Sequence, residues 1–286
     1  EKLKEINPRL IYVSISGFGR TGPERYRAGY DLLLQGYSGL MSITGEADGP
    51  PVKAGMSIVD LTTGMFAAFS VVTALLAREK TGRGQYIDVS LLDGQIALLN
   101  YHATNFFATG KSAKRYGSGH PTIVPYQAFH AKDMDIILAV ANDQLWEKCC
   151  KALGWEDLLA DDRFKTNDDR VAHRKELVDI INERFSTMES KEIFEKMDEA
   201  GVPCGPIHTV EQILTHPHVK ARDMILEIDH PKVKGLKVAG FPVKFSDTPA
   251  KLRMHPPMLG EHTDEILKEM GYSEEEIQAM REEDAI

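Results

Sequence analysis

Cysteine is scarce in this 286-residue chain: only Cys149, Cys150 and Cys204 carry a thiol. Two adjacent cysteines and one distant one cannot build a disulfide framework or a spaced zinc site. The pattern predicts reduced thiols in a cytosol-like compartment. Positive charge is short as well, with 34 Lys and Arg against 43 Asp and Glu and a net charge of −9. That balance argues against general nucleic-acid binding, which needs a basic footprint, and leaves room only for a local basic patch. Long apolar runs are few. The one worth testing, Leu61 to Ala77, is interrupted by Thr62, Thr63, Gly64, Ser70 and Thr73 and ends on Arg78-Glu79-Lys80. It reads as too short and too polar to span a bilayer, so no membrane partner is expected. No signal-peptide pattern opens the chain. Its first residue is not Met, and Glu1 to Ile6 reads as the closing turns of a helix, which predicts numbering that starts inside a longer protein.

The composition that remains is that of an ordinary core-forming chain, 42% apolar and 27% charged. Its length suits two domains or one large α/β domain. After the turn signal Asn7-Pro8, the β-branched run Leu10 to Ile15 predicts a buried parallel strand. A glycine loop, Gly17 to Pro23, follows it. Residues 31–44 begin as a helix and break at Gly36 and Gly39. Asp60 then stands as an N-cap type before a helix from Leu61 to Leu76, which closes with Arg78, Lys80 and Gly82 as C-terminal signals. Apolar on nearly every face, this helix is expected to be buried. Gln85 to Ser90 alternates as a strand, and Leu91 to Ala108 returns to helix. Strand, glycine loop, helix, strand, helix is the order of an α/β layer structure.

From about residue 110 to Pro125 the texture is that of a loop. A separate alternation follows, with a strand at Ile136–Val140 and helices at 144–153, 173–186 and 190–200, ended by Pro203-Cys204-Gly205-Pro206. The tail carries short strands, Pro-terminated turns and an acidic helix from Ser273. The expected division is 1–119, 120–210 and 211–286. No internal repeat or low-complexity tract is present.

Few constellations carry chemistry on their own. Gly17-x-Gly19-x-x-Gly22 matches the dinucleotide fingerprint in letters, but Pro23-Glu24 follows where a helix should start, and the acidic partner is missing. A loop of backbone N–H groups facing a phosphate remains open. Asp60 is the most informative residue. A carboxylate at the positive end of an apolar helix stays ionised while water is excluded, which suits a nucleophile. The same position also suits a plain N-cap. Gly55 and Gly64 flank it and would let a bulky ligand approach the backbone. Ten histidines are scattered without metal-ligand spacing, and surface or capping roles are expected for His120, His216 and His218. No serine nucleophile elbow is present, and neither Thr104 nor Ser112 has a partner pattern. Glu274-Glu275-Glu276 reads as the solvated first turn of the last helix.

Several segments together resemble the family III CoA-transferases. They are Arg27-Ala28-Gly29-Tyr30-Asp31, Met41-x-x-Thr44-Gly45, Asp48 to Val52, Asp60-Leu61-x-Thr63-Gly64, Arg78-x-x-x-Thr81-Gly82-Arg83-Gly84-Gln85 and Pro256-Pro257-x-Leu259-Gly260-Glu261-His262-Thr263. The likeness runs from about Asn7 to the C-terminus. It includes formyl-CoA, carnitine-CoA and succinate-dependent transferases, and the related α-methylacyl-CoA racemases. It implies an α/β fold: a Rossmann-like large domain with an open parallel sheet, a smaller α+β domain, and two chains interlocked as a homodimer. On that likeness the chain is expected to start inside the family fold, without its opening part.

The resemblance assigns Asp60 as the nucleophile, Arg27, Ala28 and Tyr30 to CoA binding, and Gly117, Ser118, Gly119 and His120 to a mobile loop over the active site. Racemases carry histidine where Tyr30 stands, so tyrosine is similar to the transferase pattern. Ala113 to Gly117 with Ile123 to Phe129 is similar to the succinyl-CoA:glutarate branch. The implied reaction exchanges CoA between an acyl-CoA thioester and a carboxylic acid. It uses no bound cofactor and no metal, with coenzyme A thioester as substrate. Arg20, Arg25 and Arg27 form a local basic cluster suited to the phosphates of CoA. Expected localisation is cytoplasmic, or the mitochondrial matrix in a eukaryote. Two readings stand beside this one: an acyl-CoA racemase or epimerase of the same fold, and a non-catalytic acyl-CoA-binding protein.

Overall fold

The computed structural model describes residues 2–286 and divides the chain into two compact units, Glu1–Pro206 and Ile207–Ile286. It is a mixed α/β structure with one small parallel sheet and two small antiparallel ones.

The first unit opens with helix α1 (Lys2–Ile6) and strand β1 (Tyr12–Ser16). Helix α2 (Asp31–Tyr37), the long helix α3 (Ile58–Thr81) and strand β2 (Tyr86–Ser90) come next. β1 and β2 pair in parallel, with Ser14 opposite Asp88 and Ser16 opposite Ser90. A parallel pair needs a crossover, and α3 supplies it. The predicted stop of α3 is in place: Gly82 takes a left-handed φ of 71° and its N–H returns to the Arg78 carbonyl at 2.8 Å.

Two expectations for α3 are corrected. Its start lies earlier than predicted, with Ser57 at the N-cap and Asp60 as the third helical residue. It is also exposed more than buried. Only a strip of small or β-branched residues, Val59, Thr63, Ala67 and Ala74, is buried. On the opposite face Leu61, Met65, Phe69, Val72 and Leu76 form an exposed apolar stripe at helical spacing. At 24 residues the helix is also longer than its sequence pattern indicated, and by length and composition alone it is apolar enough to cross a membrane. Its buried strip packs instead toward α2, the parallel strands and helix α4 (Leu91–Leu98).

The single helix expected over 91–108 is interrupted. α4 stops at Leu98, Asn100 adopts a positive φ of 47°, and α5 (Tyr101–Thr109) restarts. An asparagine tolerates such a backbone better than most residues, and it re-aims the second half.

The rest of this unit is a small α+β body. Strand β3 (Tyr126–His130) pairs antiparallel with β4 (Asp135–Ala139). Helices α6 (Asp143–Leu153), α7 (Glu156–Ala160), α8 (Asn167–Ala172), α9 (Arg174–Phe185) and α10 (Ser190–Ala200) follow, and β5 (Cys204–Pro206) closes the sheet against β4. Here the apolar faces meet completely. Trp146, Phe164, Leu177, Ile181, Phe185, Ile193 and Met197 form one buried core with Ile136 and Leu138 of the sheet. The fully buried Arg170 is satisfied by the carbonyls of Val124, Phe164 and Lys165 and by Asp143 at 2.8 Å. A buried guanidinium this well paired ties α8 to the segment that leads into β3, and losing its partners would leave a costly charge.

The second unit holds helices α11 (Val210–Thr215) and α12 (Pro217–Ala221), an antiparallel pair β6 (Ile225–Ile228) and β7 (Leu236–Ala239), and helices α13 (Thr263–Glu269) and α14 (Glu274–Glu282). Ser273 and Glu276 form a reciprocal capping box at the head of α14. His216 caps α12 through its ring nitrogen, which accepts from the His218 N–H.

Candidate active site

The site is built where α2 meets the first turn of α3. A close backbone contact brings these parts together. A Cβ on Gly17 would lie 2.8 Å from the Cα of Gly29, and one on Gly29 would lie 2.6 Å from the Cα of Gly17. Only glycine at both positions lets the loop after β1 lie against the Arg27–Asp31 segment. The loop itself is pinned from below: Asp88 of β2 accepts from the Arg20 N–H at 2.8 Å, and the Arg20 side chain donates to the Ser14 hydroxyl at 2.7 Å.

Asp60 lies in the first turn of α3, exposed. Ser57, the N-cap residue, makes no side-chain cap. Two of the first-turn donors are nevertheless satisfied: Ile58 N–H by the Met56 carbonyl at 2.9 Å, and Val59 N–H by a carboxylate oxygen of Asp31 at 2.9 Å. The N–H of Asp60 itself finds no acceptor among the described residues. An open carboxylate therefore stands beside an unused backbone donor at the positive end of a long helix. Such a pairing can attack a carbonyl and then steady the oxyanion that develops. The flanking Gly55 and Gly64 leave open space, since a Cβ on either would meet nothing within 4 Å.

Arg27, Ala28 and Tyr30 precede α2 on the same segment. Tyr30 is 79% exposed and Ala28 is exposed too. Arg27 lies over the rings of Phe18 and Tyr37, with centroids at 5.3 and 5.0 Å, and pairs with Glu24 at 3.1 Å. The hydrogen bond to Glu24 raises its pKa further. Arg25 covers the ring of Tyr26. Sequence reasoning missed Asp31 and Gln35 as parts of this arrangement. The only signal was the position of Asp31 directly after the Arg27–Tyr30 motif.

Gly117, Ser118, Gly119 and His120 lie elsewhere in this unit, in a cavity of 210 Å³ lined also by Tyr101, His102, Lys114 and Tyr126. Gly117, with a φ of 60°, donates to the carbonyl of Gly45 at 3.0 Å, and the Glu46 carboxylate fills the place of its missing Cβ. Arg174 holds the loop by donating to the carbonyls of His120 and Pro121 at 2.8 and 2.9 Å. Burial lowers the pKa of both His102 and His120, helped at His120 by the nearby Arg174. The His120 Nδ1 accepts from the Thr122 N–H at 3.2 Å, which leaves its Nε2 as the donor of a neutral ring.

The cysteines belong to the core. Burial pushes the Cys150 thiol up to about 12 and that of Cys204 to about 11, so neither supplies a thiolate nucleophile. Among the described residues, no group of three or more His, Cys, Asp or Glu side chains is placed to hold a metal ion.

Known proteins match over nearly all of this chain. The family model for CoA-transferase family III matches residues 1–263. An acyl-CoA transferase of Fusarium pseudograminearum is 41% identical over 286 residues, 99% of this chain and 63% of its own. The succinyl-CoA:glutarate CoA-transferase of Homo sapiens is 40% identical over 270 residues, 94% of this chain and 62% of its own. The chain thus spans less than two thirds of the length of these relatives. A crystal structure of a CAIB/BAIF family protein from Brucella suis superposes with a TM-score of 0.79 at 41% identity, covering 93% of this chain and 69% of that one.

Proposed function

The chain belongs to CoA-transferase family III, and on that premise we propose that it moves CoA from an acyl-CoA donor to a carboxylic acid through a CoA thioester on Asp60. The observation that carries the reading is the exposed Asp60 carboxylate in the first turn of α3, beside its own unpaired N–H. One carboxylate oxygen attacks the thioester carbonyl, the C–S bond breaks, and CoA leaves as thiolate with an aspartyl–acyl anhydride in its place. The thiolate then attacks the aspartyl carbonyl and expels the donor acid. The acceptor carboxylate attacks the resulting aspartyl–CoA thioester, and the same two steps in reverse release the new acyl-CoA and free Asp60. Each activated acyl bond is exchanged for another, so most of the free energy held in the thioester is retained and transfer runs both ways.

Arg27, Ala28 and Tyr30 hold CoA in this reading, and Gly117 to His120 act as a mobile loop that moves from its own cavity to close over Asp60 and exclude the water that would hydrolyse the anhydride. The relatives named for glutarate and mesaconate support a dicarboxylic acceptor with succinyl-CoA as donor. Tyrosine at position 30 in place of a racemase-type histidine base supports transfer over epimerisation. No metal or separate cofactor takes part.

The large domain is read as Rossmann-like, built around β1, α3 and β2, with 120–210 as the small domain. The working protein is read as an interlocked homodimer, supported by the exposed apolar stripe on α3. A cytoplasmic or mitochondrial-matrix location fits its acyl-CoA substrates. The test is to incubate the protein, expressed from its complete reading frame, with succinyl-CoA and a panel of carboxylic acids, and to weigh the CoA products. New acyl-CoA species matched by free succinate support transfer. Deuterium entering the α-carbon of a branched acyl-CoA without acid exchange would replace it with a racemase. Light scattering at micromolar concentration tests the dimer, and a monomer would overturn it.

A further inference from the structure

Asp31 and Gln35 stand one turn apart on α2 and reach across to the segment that leads into α3. One Asp31 oxygen accepts from the Val59 N–H at 2.9 Å, the helix donor that an N-cap side chain would ordinarily satisfy. The other accepts from the Gln35 side-chain amide at 2.5 Å. The Gln35 carbonyl oxygen in turn accepts from the Ala54 N–H at 2.8 Å. Gln35 is fully buried, so its amide has no water to fall back on. The three bonds form one chain, from Val59 through Asp31 and Gln35 to Ala54. They bracket Ser57, whose own side chain caps nothing.

We propose that Asp31 and Gln35 are positioning residues for Asp60, setting the angle at which its carboxylate leaves the first turn of α3. This rests on reading Asp60 as the nucleophile. Two features favour positioning over simple support. The anchored N–H belongs to the residue immediately before Asp60, so a shift in this bond moves the nucleophile directly. Asp31 also follows Tyr30 without a gap, so the segment assigned to CoA and the anchor of the nucleophile are consecutive in the chain. A ligand that fixes Tyr30 fixes the anchor too.

The polarity of the chain offers a sharp test. In Asp31→Asn one side-chain atom becomes an NH₂ donor. If it faces Gln35, the Gln35 amide must turn to accept, and it then presents a donor to the Ala54 N–H. Whichever way the amides turn, one backbone N–H loses its acceptor. The double variant D31N/Q35E restores all three bonds. Its introduced amide accepts from the Val59 N–H and donates to the introduced carboxylate, whose second oxygen accepts from the Ala54 N–H. Net charge is unchanged, although the charge moves to a more buried position, so recovery should be incomplete.

The measurement is kcat and KM for succinyl-CoA transfer in the protein expressed from its complete reading frame, with thermal unfolding alongside. Asp31→Asn should lower kcat by about ten- to a hundredfold, with a smaller change in KM, as expected of a misaligned nucleophile. The D31N/Q35E double should recover at least about a third of that loss on a logarithmic scale. An Asp31→Asn variant within twofold of the wild-type kcat overturns the proposal, as does a folded double no better than the single. If Asp31→Asn does not fold, the double decides alone: folded and active supports the clamp, folded and inactive overturns it. A wild type without transferase activity overturns the underlying reading instead, which separates the two failures.

Discussion

The segment from β3 to β5 and the segment from β1 to α5 are built from similar proportions of apolar residues and meet very different fates. In the first, helices α6 to α10 turn their apolar faces onto a three-stranded sheet, and nineteen residues form one buried core. In the second, the corresponding cluster is Phe18, Leu34, Val59 and Leu91, while Leu61, Phe69, Leu76 and Phe107 lie open. The closed segment satisfies itself. The open one holds Asp60, the Arg27–Tyr30 motif and an apolar stripe that a two-stranded sheet cannot cover. The difference teaches that stability and the candidate chemistry sit in different places: the part that resembles a finished domain carries the core, and the part that carries the site depends on polar clamps and backbone contacts.

The strongest break of that comparison is at Asp60. Asp60→Ala should lower transfer by on the order of 10⁴-fold or more, yet leave the unfolding midpoint within a degree or so, because its carboxylate is exposed and caps nothing. Mass spectrometry of a CoA adduct on the wild type and its absence in the variant gives a second readout. Substantial residual transfer would remove Asp60 from the mechanism.

Next come paired truncations in the two segments. Phe185→Ala removes a fully buried ring from the closed core and should cost about 3–5 kcal/mol. Phe69→Ala, on the open stripe, should change the stability of the folded single chain by no more than about 0.5 kcal/mol and weaken instead the association of protomers in the homodimer proposed above. Urea unfolding at two protein concentrations separates the effects. Equal, concentration-independent losses at both positions would erase the distinction between the segments.

A third test addresses the backbone contact. Gly17→Ala places a methyl group 2.8 Å from the Cα of Gly29, where no side chain can yield, and should cost about 1–3 kcal/mol as overpacking. It should also weaken acyl-CoA binding, since Gly29 lies between Ala28 and Tyr30. Unchanged stability and binding would show that the loop after β1 moves aside freely.

Tyr30→Phe is the smallest. It keeps the ring and removes one hydroxyl, so calorimetry should find acyl-CoA binding weakened by about 0.5–1.5 kcal/mol with the fold intact. Rapid α-deuterium wash-in by the wild type, lost in this variant, would mean that Tyr30 moves protons and that the open segment houses a racemase.

What could be read from the sequence follows the range of the interaction. The stop of α3 at Gly82 and the start of α14 at Ser273 were legible, because each involves residues within a single turn. Strand β3 was not, since Tyr126 to His130 alternate poorly and owe their conformation to pairing with β4. The break at Asn100 escaped for a related reason: 91–108 is helical in pattern throughout, and a positive φ at one residue leaves no trace in periodicity. Asp60 stood out as a residue, but its place in the helix was misjudged by three positions. Its first turn is capped from Asp31, 28 residues away from the donor it satisfies.

Composition, local helix signals and a set of spaced motifs were enough by themselves to determine an α/β chain, the family it belongs to and the one carboxylate worth testing first. Only the tertiary structure decided which face of α3 is covered, that Gly17 and Gly29 touch, and that Asp31 and Gln35 hold the turn before Asp60. Periodicity reports that a helix has apolar faces but not which of them finds a neighbour, because burial and long-range hydrogen bonds depend on what the rest of the chain brings alongside.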